Sequence, residues 1–246
     1  RRENLLRRGR LLKALQDSAE RRLTIVAAPA GYGKTSLLAD FASETMMPVC
    51  WYSIDELDTD PHQFLFHFVA SINERFPGFA KTSYPAMQAM LETRVTVDTI
   101  VALLVNDIYE NITEHFVVII DDYHIIERSA DVNYFINRFL MKVDENCHLI
   151  ISSRKLLPLA DMPLLVARAA VGGVGFEDLA FSQEEIQKLY AQNFNLEIKS
   201  NDAQKLVDEY EGWITGLLLS TEVVEGKIQE RVQSRIVTGV SLYDYL

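Results

Sequence analysis

The apolar positions of this chain switch between two periods. Leucines at 5, 6, 11, 12 and 15 fit an amphipathic helix over residues 4–19, with Gly9 as its weak point. Residues 23–28 form a short apolar run that ends in a glycine-rich turn. From Lys34 onward, Leu37, Leu38 and Phe41 return at helical spacing, which gives strand, loop, helix. A second strand is predicted at 49–54. Asp60 and Pro61 then make a helix start, an N-cap followed by Pro at the first helical position. Phe64, Leu65, Phe68, Val69 and Ile72 form the stripe of that helix. Residues 77–92 contain prolines and methionines and read as irregular, and another helix is predicted at 97–110. Residues 116–120 are a continuous apolar run, β-branched after Phe116, ending in Asp121 and Asp122, the pattern of a strand buried on both faces of a parallel sheet. Ser129 caps a helix carrying Val132, Phe135, Ile136, Phe139 and Leu140. Residues 149–153 read as a second central strand, followed by Arg154. A weaker fifth strand falls within 168–176, where glycines dilute the pattern.

Strands alternating with helices define an α/β protein built on a parallel sheet flanked by helices. After Leu179 the pattern changes. Ser182 and Glu185 form a capping box, no strand signal follows, and helices at 183–192, 202–210 and 214–225 predict a small helical domain. The expected division is therefore 1–180 for the sheet domain and 181–236 for the helical one.

Composition narrows the function classes. The chain has 246 residues, of which 48% are hydrophobic, enough for one substantial core and a small accessory domain. No apolar run approaches the roughly 20 residues that span a bilayer, so no membrane partner is expected. The start, Arg1 to Asn4, lacks the apolar stretch of a secretory signal and has no initiator Met, so a trimmed fragment is expected. A net charge of −11 makes the chain a poor sequence-independent ligand for DNA. Basic residues do cluster early, at Arg1, Arg2, Arg7, Arg8, Arg10, Lys13, Arg21 and Arg22. They read either as a solvated helix face or as a source of one or two arginines near a bound nucleotide. Cys50 and Cys147 lie at apolar strand-like runs and are expected to be buried free thiols, which suits a reducing cytoplasm. His62, His67, His115, His124 and His148 show no zinc-ligand spacing.

Candidate chemistry begins in the first turn after the first strand. Residues 28–35 run Ala28, Pro29, Ala30, Gly31, Tyr32, Gly33, Lys34, Thr35. This is the phosphate-loop pattern with Ala28 in place of its first Gly. Successive backbone N–H groups can converge on an anion only where unusual φ angles are allowed, and Gly31 and Gly33 supply them. The following helix, entered through Thr35 and Ser36, adds its positive N-terminal dipole. Lys34 would reach the β- and γ-phosphates, and the Thr35 hydroxyl would ligate Mg²⁺. Asp121 lies 87 residues beyond Lys34, at the end of a buried strand. A carboxylate there can hold Mg²⁺, and Asp122 is then a candidate to orient or deprotonate an attacking water. The strand at 149–153 should lie between the other two, so that Arg154 could neutralise the γ-phosphate. Glu211, Gly212 and Trp213 stand out in the helical part, with Gly212 ending a helix and Trp213 packing in the core.

Taken in order, these residues resemble a known family. The marks are Arg8 to Leu12, Pro29 to Thr35, Trp51 to Glu56 followed by Asp58, and Asp121 to His124. They continue with Ser153 and Arg154, Asp178 to Ser182, and Gly212 with Trp213. The series resembles the nucleotide-binding module of the large LuxR-type ATP-dependent transcription activators. Those belong to the signal-transducing STAND class of P-loop NTPases. The Pro that the family often carries two residues after that Gly is absent; Ile214 and Thr215 follow Gly212 and Trp213. The resemblance implies ATP rather than GTP, helped by the absence of an Asn-Lys-x-Asp guanine motif. It implies that the N-terminal arginine region, Arg8 included, lies near the adenine. It also implies a winged helix beginning at 237–246. A nucleotide-controlled switch follows, in which ATP and ADP favour different arrangements of the two domains, with slow hydrolysis as the reset. In the family the ATP state self-associates, an inducer binds a sensor region, and DNA is met through a C-terminal helix-turn-helix. Two rivals remain at this point: a work-performing P-loop ATPase, and a STAND-type scaffold of a signalling or defence protein.

Overall fold

The computed structural model describes residues 6–90 and 95–221. The first residues of the predicted N-terminal helix, Arg1 and Arg2, the tail of the 214–225 helix and the expected winged-helix start at 237–246 lie outside the described residues. Contacts divide the chain into two compact units. Among the described residues, one comprises 9–28 and 35–175; the other comprises 6–8, 29–34 and the residues from 176 on.

The first unit is the α/β unit. Helix α1 (Gly9–Ser18) starts at the glycine, and Leu11, Leu12 and Leu15 form its buried stripe. Strands β1 (Leu23–Ala27), β2 (Val49–Ser53), β3 (Phe116–Asp121), β4 (Cys147–Ser153) and β5 (Val171–Val174) form one sheet in the order β2-β3-β4-β1-β5. Each pairing is parallel. Parallel strands need long crossovers. Helices supply them: α2 (Lys34–Glu44), α3 (Pro61–Arg75), α4 (Ser83–Met90), α5 (Val97–Asn111), α6 (Ala130–Lys142) and α7 (Met162–Ala167). β3 and β4 are buried at every position, as their unbroken apolar runs require. Val118, Ile120, Leu149 and Ile151 share a core with Phe64, Phe68, Phe135 and Phe139 from α3 and α6. The four rings meet at centroid distances of 5.4–6.0 Å. Burial pushes the Cys50 thiol up to about 12 and the Cys147 thiol well above its ordinary value, so both stay neutral and unreactive.

Local rules explain most element ends. Asp60 accepts a hydrogen bond from His62 N at 2.8 Å, with Pro61 opening α3. Ser129 stands at the N-cap of α6, but its side chain makes no capping bond. The predicted irregular stretch at 77–92 instead contains α4. Its start is capped from another helix: Asp107 on α5 accepts from Thr82 N, Thr82 Oγ1, Ser83 N and Ser83 Oγ at 2.7–3.2 Å. Pro85 is tolerated because it falls in the first turn, where no intrahelical N–H bond is needed.

The second unit is helical. It holds α8 (Phe176–Leu179), α9 (Gln183–Phe194), α10 (Ser200–Tyr210) and α11 (Ile214–Thr221). Its core is Phe181, Ile186, Leu189, Tyr190, Ala203 and Leu217. The predicted capping box forms in both directions. Ser182 Oγ accepts from Glu185 N at 3.3 Å, and Glu185 Oε2 accepts from Ser182 N at 3.1 Å. Among the described residues, no helix is long and apolar enough to cross a membrane.

Candidate phosphate-binding site

In the α/β unit, the C-terminal ends of four strands line up. Ala27 pairs with Ser153, Ile120 with Ile151, and Ser53 with Asp121. β4 therefore lies between β1 and β3, as its pattern predicts. Ala28 extends the ladder by one bond, from its N to Ser153 O at 3.3 Å. Open parallel sheets bind ligands at this end. Asp121 is buried, and Ser152 donates its hydroxyl to Asp121 Oδ1. Asp122 N donates to the same Oδ1 at 3.1 Å and to Ser152 Oγ at 3.0 Å. The bonds from Ser152 Oγ and from Asp122 N thus both go to Oδ1 of Asp121. Among the described residues none reaches Oδ2. Asp122 adopts a left-handed conformation, φ 61°, which Asp tolerates better than most residues. Its half-exposed carboxylate lies 3.7 Å from His124 Nδ1.

Beside them, Ser153 Oγ is buried and meets no hydrogen-bond partner among the described residues. A buried hydroxyl without a partner costs free energy unless something else satisfies it. Arg154, the next residue, is exposed, as is Thr35 in the first turn of α2. Sequence reasoning singled out Asp121, Asp122 and Arg154 but gave no role to Ser152. The signal was there in outline: two serines closing an otherwise apolar strand.

In the helical unit, residues 29–34 form the loop itself. Gly31 and Gly33 both take left-handed φ angles, +82° and +79°. Lys34 is buried and donates from Nζ to Pro29 O at 3.1 Å, drawing the loop closed across five residues. Tyr32 is buried, with its ring edge-on to Phe176 at 5.0 Å. Two donors that the sequence did not reveal hold the loop, one just before α11 and one in its first turn: Trp213 Nε1 to Ala30 O at 2.9 Å, and Thr215 Oγ1 to Gly31 O at 3.0 Å.

Arg8, which the resemblance implies near the adenine, has a structural role in the helical unit. It is buried, and its guanidinium binds Glu185 through two nitrogens at 3.1 and 2.7 Å. It also donates to Leu179 O and Ala180 O at 2.8 and 2.9 Å and lies 4.1 Å from the centre of the Phe181 ring. Glu185 thus caps α9 and pairs with Arg8 at once. A guanidinium has five donors, and four bonds from this one tie residues 6–8 to the helical core. The motif from Trp51 to Asp58 is likewise used structurally: Asp58 accepts from Asp55 N at 2.8 Å and pairs with His67 Nδ1 at 2.7 Å.

The fold is that of a P-loop NTPase. It matches a signal transduction ATPase with numerous domains (STAND) from Pyrococcus horikoshii that carries a tetratricopeptide repeat sensor. That match has a TM-score of 0.65 at 19% identity and covers 98% of this chain and 33% of that one. A Walker-type ATPase of Pyrococcus abyssi matches with a TM-score of 0.57 at 17% identity, over 97% of this chain and 75% of that one. In sequence, the chain is 35% identical over 217 residues to the HTH-type transcriptional regulator MalT of Yersinia enterocolitica. MalT of Yersinia pestis is 32% identical over 217 residues. Each alignment takes in 88% of this chain and 23% of the relative, so the chain spans about a quarter of the length of these curated relatives. No protein-family model matches. The chain is thus similar over 217 residues to one part of the MalT regulators, and it has the fold of a P-loop NTPase.

Proposed function

We propose that this module binds Mg-ATP at the phosphate loop and serves as the nucleotide-responsive switch of a MalT-like transcription regulator. The observation that carries the reading is the loop itself. Two left-handed glycines, Gly31 and Gly33, fall between the end of β1 and the first turn of α2. That backbone would let N–H groups turn inward, and α2, 11 residues long, would add its dipole. The backbone of Ala28, Pro29, Ala30, Gly31, Tyr32, Gly33, Lys34, Thr35 and Ser36 would cradle the phosphates. Lys34 would exchange its bond to Pro29 O for the β- and γ-phosphates.

The donor set fits a hard cation: the exposed Thr35 hydroxyl and the Oδ2 of Asp121 are both oxygens. Bound there, Mg²⁺ would neutralise the charge of the β- and γ-phosphates. Asp122 would orient the attacking water, and Arg154 would meet the γ-phosphate. Arg8, held by Glu185 and two carbonyls, would line the adenine side through its fixed position rather than by a free guanidinium.

Hydrolysis to ADP is slow on this reading and resets the switch, with self-association in the ATP state. Inducer sensing and DNA contact fall to parts of the regulator outside the matched span, and the protein works in the cytoplasm. Titration with fluorescent ATP and ADP tests the core of this. Lys34→Ala should weaken ATP binding roughly ten- to hundredfold, the scale of one or two lost charge-assisted bonds. Undiminished binding by that variant sinks the assignment.

A further inference from the structure

We infer that Trp213 and Thr215 are positioning residues of the phosphate loop, aiming the Gly31 and Tyr32 N–H groups by holding the carbonyls on the other side of the same peptide planes. The inference rests on the nucleotide-binding reading above and names how its loop is held ready.

A peptide unit is planar, so fixing the direction of one C=O fixes the N–H of the next residue on the opposite side. In an anion nest the N–H groups converge on the ligand. The carbonyls must then point away from it, and once buried they need donors of their own. Those donors are present. Ala30 O accepts from Trp213 Nε1 at 2.9 Å. Gly31 O accepts from Thr215 Oγ1 at 3.0 Å and from Thr215 N at 3.2 Å. Holding Ala30 O sets the N–H of Gly31; holding Gly31 O sets the N–H of Tyr32.

The fit allows no side chain at two points. A Cβ on Gly31 would lie 2.6 Å from Thr215 Oγ1 and would collide with the indole nitrogen. A Cβ on Gly216 would run into the indole ring. Trp213 is itself anchored, with its N bonded to Tyr210 O at 2.8 Å and its O accepting from Leu217 N at 3.0 Å. The start of α11 therefore follows the loop. A ligand that tightens the nest also tightens the α11 contacts, and by linkage α11 sets the affinity of the nest.

The test uses the whole chain and a fluorescent ATP analogue with Mg²⁺, displaced by inorganic triphosphate, which engages only a phosphate site. Trp213→Phe keeps the packing and loses the indole N–H. Thr215→Val keeps the shape and loses the hydroxyl. Each should weaken both ligands about fivefold, the value of one net hydrogen bond. Thr215→Ser, which keeps the hydroxyl, should stay within about twofold of wild type. Ligand-free thermal melts show whether each variant is folded, and the Thr215→Val and Thr215→Ser pair carries the test if Trp213→Phe is not. Wild-type affinity in folded Thr215→Val and Trp213→Phe, beside a Lys34→Ala variant that has lost binding, overturns this inference and leaves the nucleotide reading standing. Wild-type protein that binds neither ligand in a Lys34-dependent way overturns both.

Discussion

Asp107 on α5 and Asp121 at the end of β3 are buried to the same degree, 1% and 2% exposed, yet their surroundings differ. Asp107 is saturated: its two oxygens accept from the backbone and hydroxyls of Thr82 and Ser83. Asp121 accepts from Ser152 and from Asp122 N, and both bonds fall on Oδ1. Burial of a carboxylate is costly in either setting. At Asp107 local donors offset the cost, and the result is a helix start. At Asp121 the offset from the described residues is partial: none of them reaches the second oxygen, and none meets the buried Ser153 Oγ at the end of the neighbouring strand. What separates a structural acid from a candidate site acid here is saturation, since depth is the same.

The same substitution at both positions tests that contrast. Asp107→Asn turns an amide donor toward a cluster of donors and should destabilise the protein by about 3 kcal/mol, read by urea unfolding. Nucleotide affinity of the protein that remains folded should not change. Asp121→Asn keeps an oxygen for Ser152 and Asp122 N, so stability should stay within about 1 kcal/mol of wild type. Its Mg²⁺-dependent share of ATP binding should disappear in titrations with and without EDTA. If Asp121→Asn proves the more destabilising of the two, the contrast collapses.

A smaller effect is expected at the opposite end of the sheet. His148 Nδ1 lies 3.1 Å from Arg21 O, which can only accept, so Nδ1 carries the proton and Nε2 accepts from His115 Nδ1 at 3.2 Å. Burial, chiefly, and the neighbouring His115 lower the His148 pKa from 6.5, against the pull of the Arg21 carbonyl. The unfolded chain therefore takes up this proton at a higher pH than the folded one. Stability is full above 6.5 and is lost as pH falls below it through the lowered folded value. Denaturation midpoints should drop across that window in wild type and drop less in His148→Asn; equal slopes would remove His148 from the account.

How much of this was legible depended on the range of the interactions. β3 and β4 announced themselves because strands buried on both faces carry no polar alternation. The cap of α3 was visible because Asp60 and Pro61 are neighbours in the chain. Helix α4 was hidden because its cap, Asp107, comes from α5, well over twenty residues further on in sequence. Ser129 misled in the other direction, since its residue type suits a cap and its side chain does not make one. In the candidate site, Gly31, Gly33 and Lys34 followed from spacing alone. The committed guanidinium of Arg8, and the roles of Ser152, Trp213 and Thr215, did not.

By itself, then, the sequence determined the alternation of strands and helices, the turn that follows β1 and the residue types able to meet a phosphate, because these depend on neighbours within a few positions. Tertiary structure decided which buried acid is saturated, which arginine is already engaged and which side chains hold the loop's carbonyls. Those are questions of where each donor finds its acceptor, and the partners lie as far apart in the chain as Ala30 and Trp213.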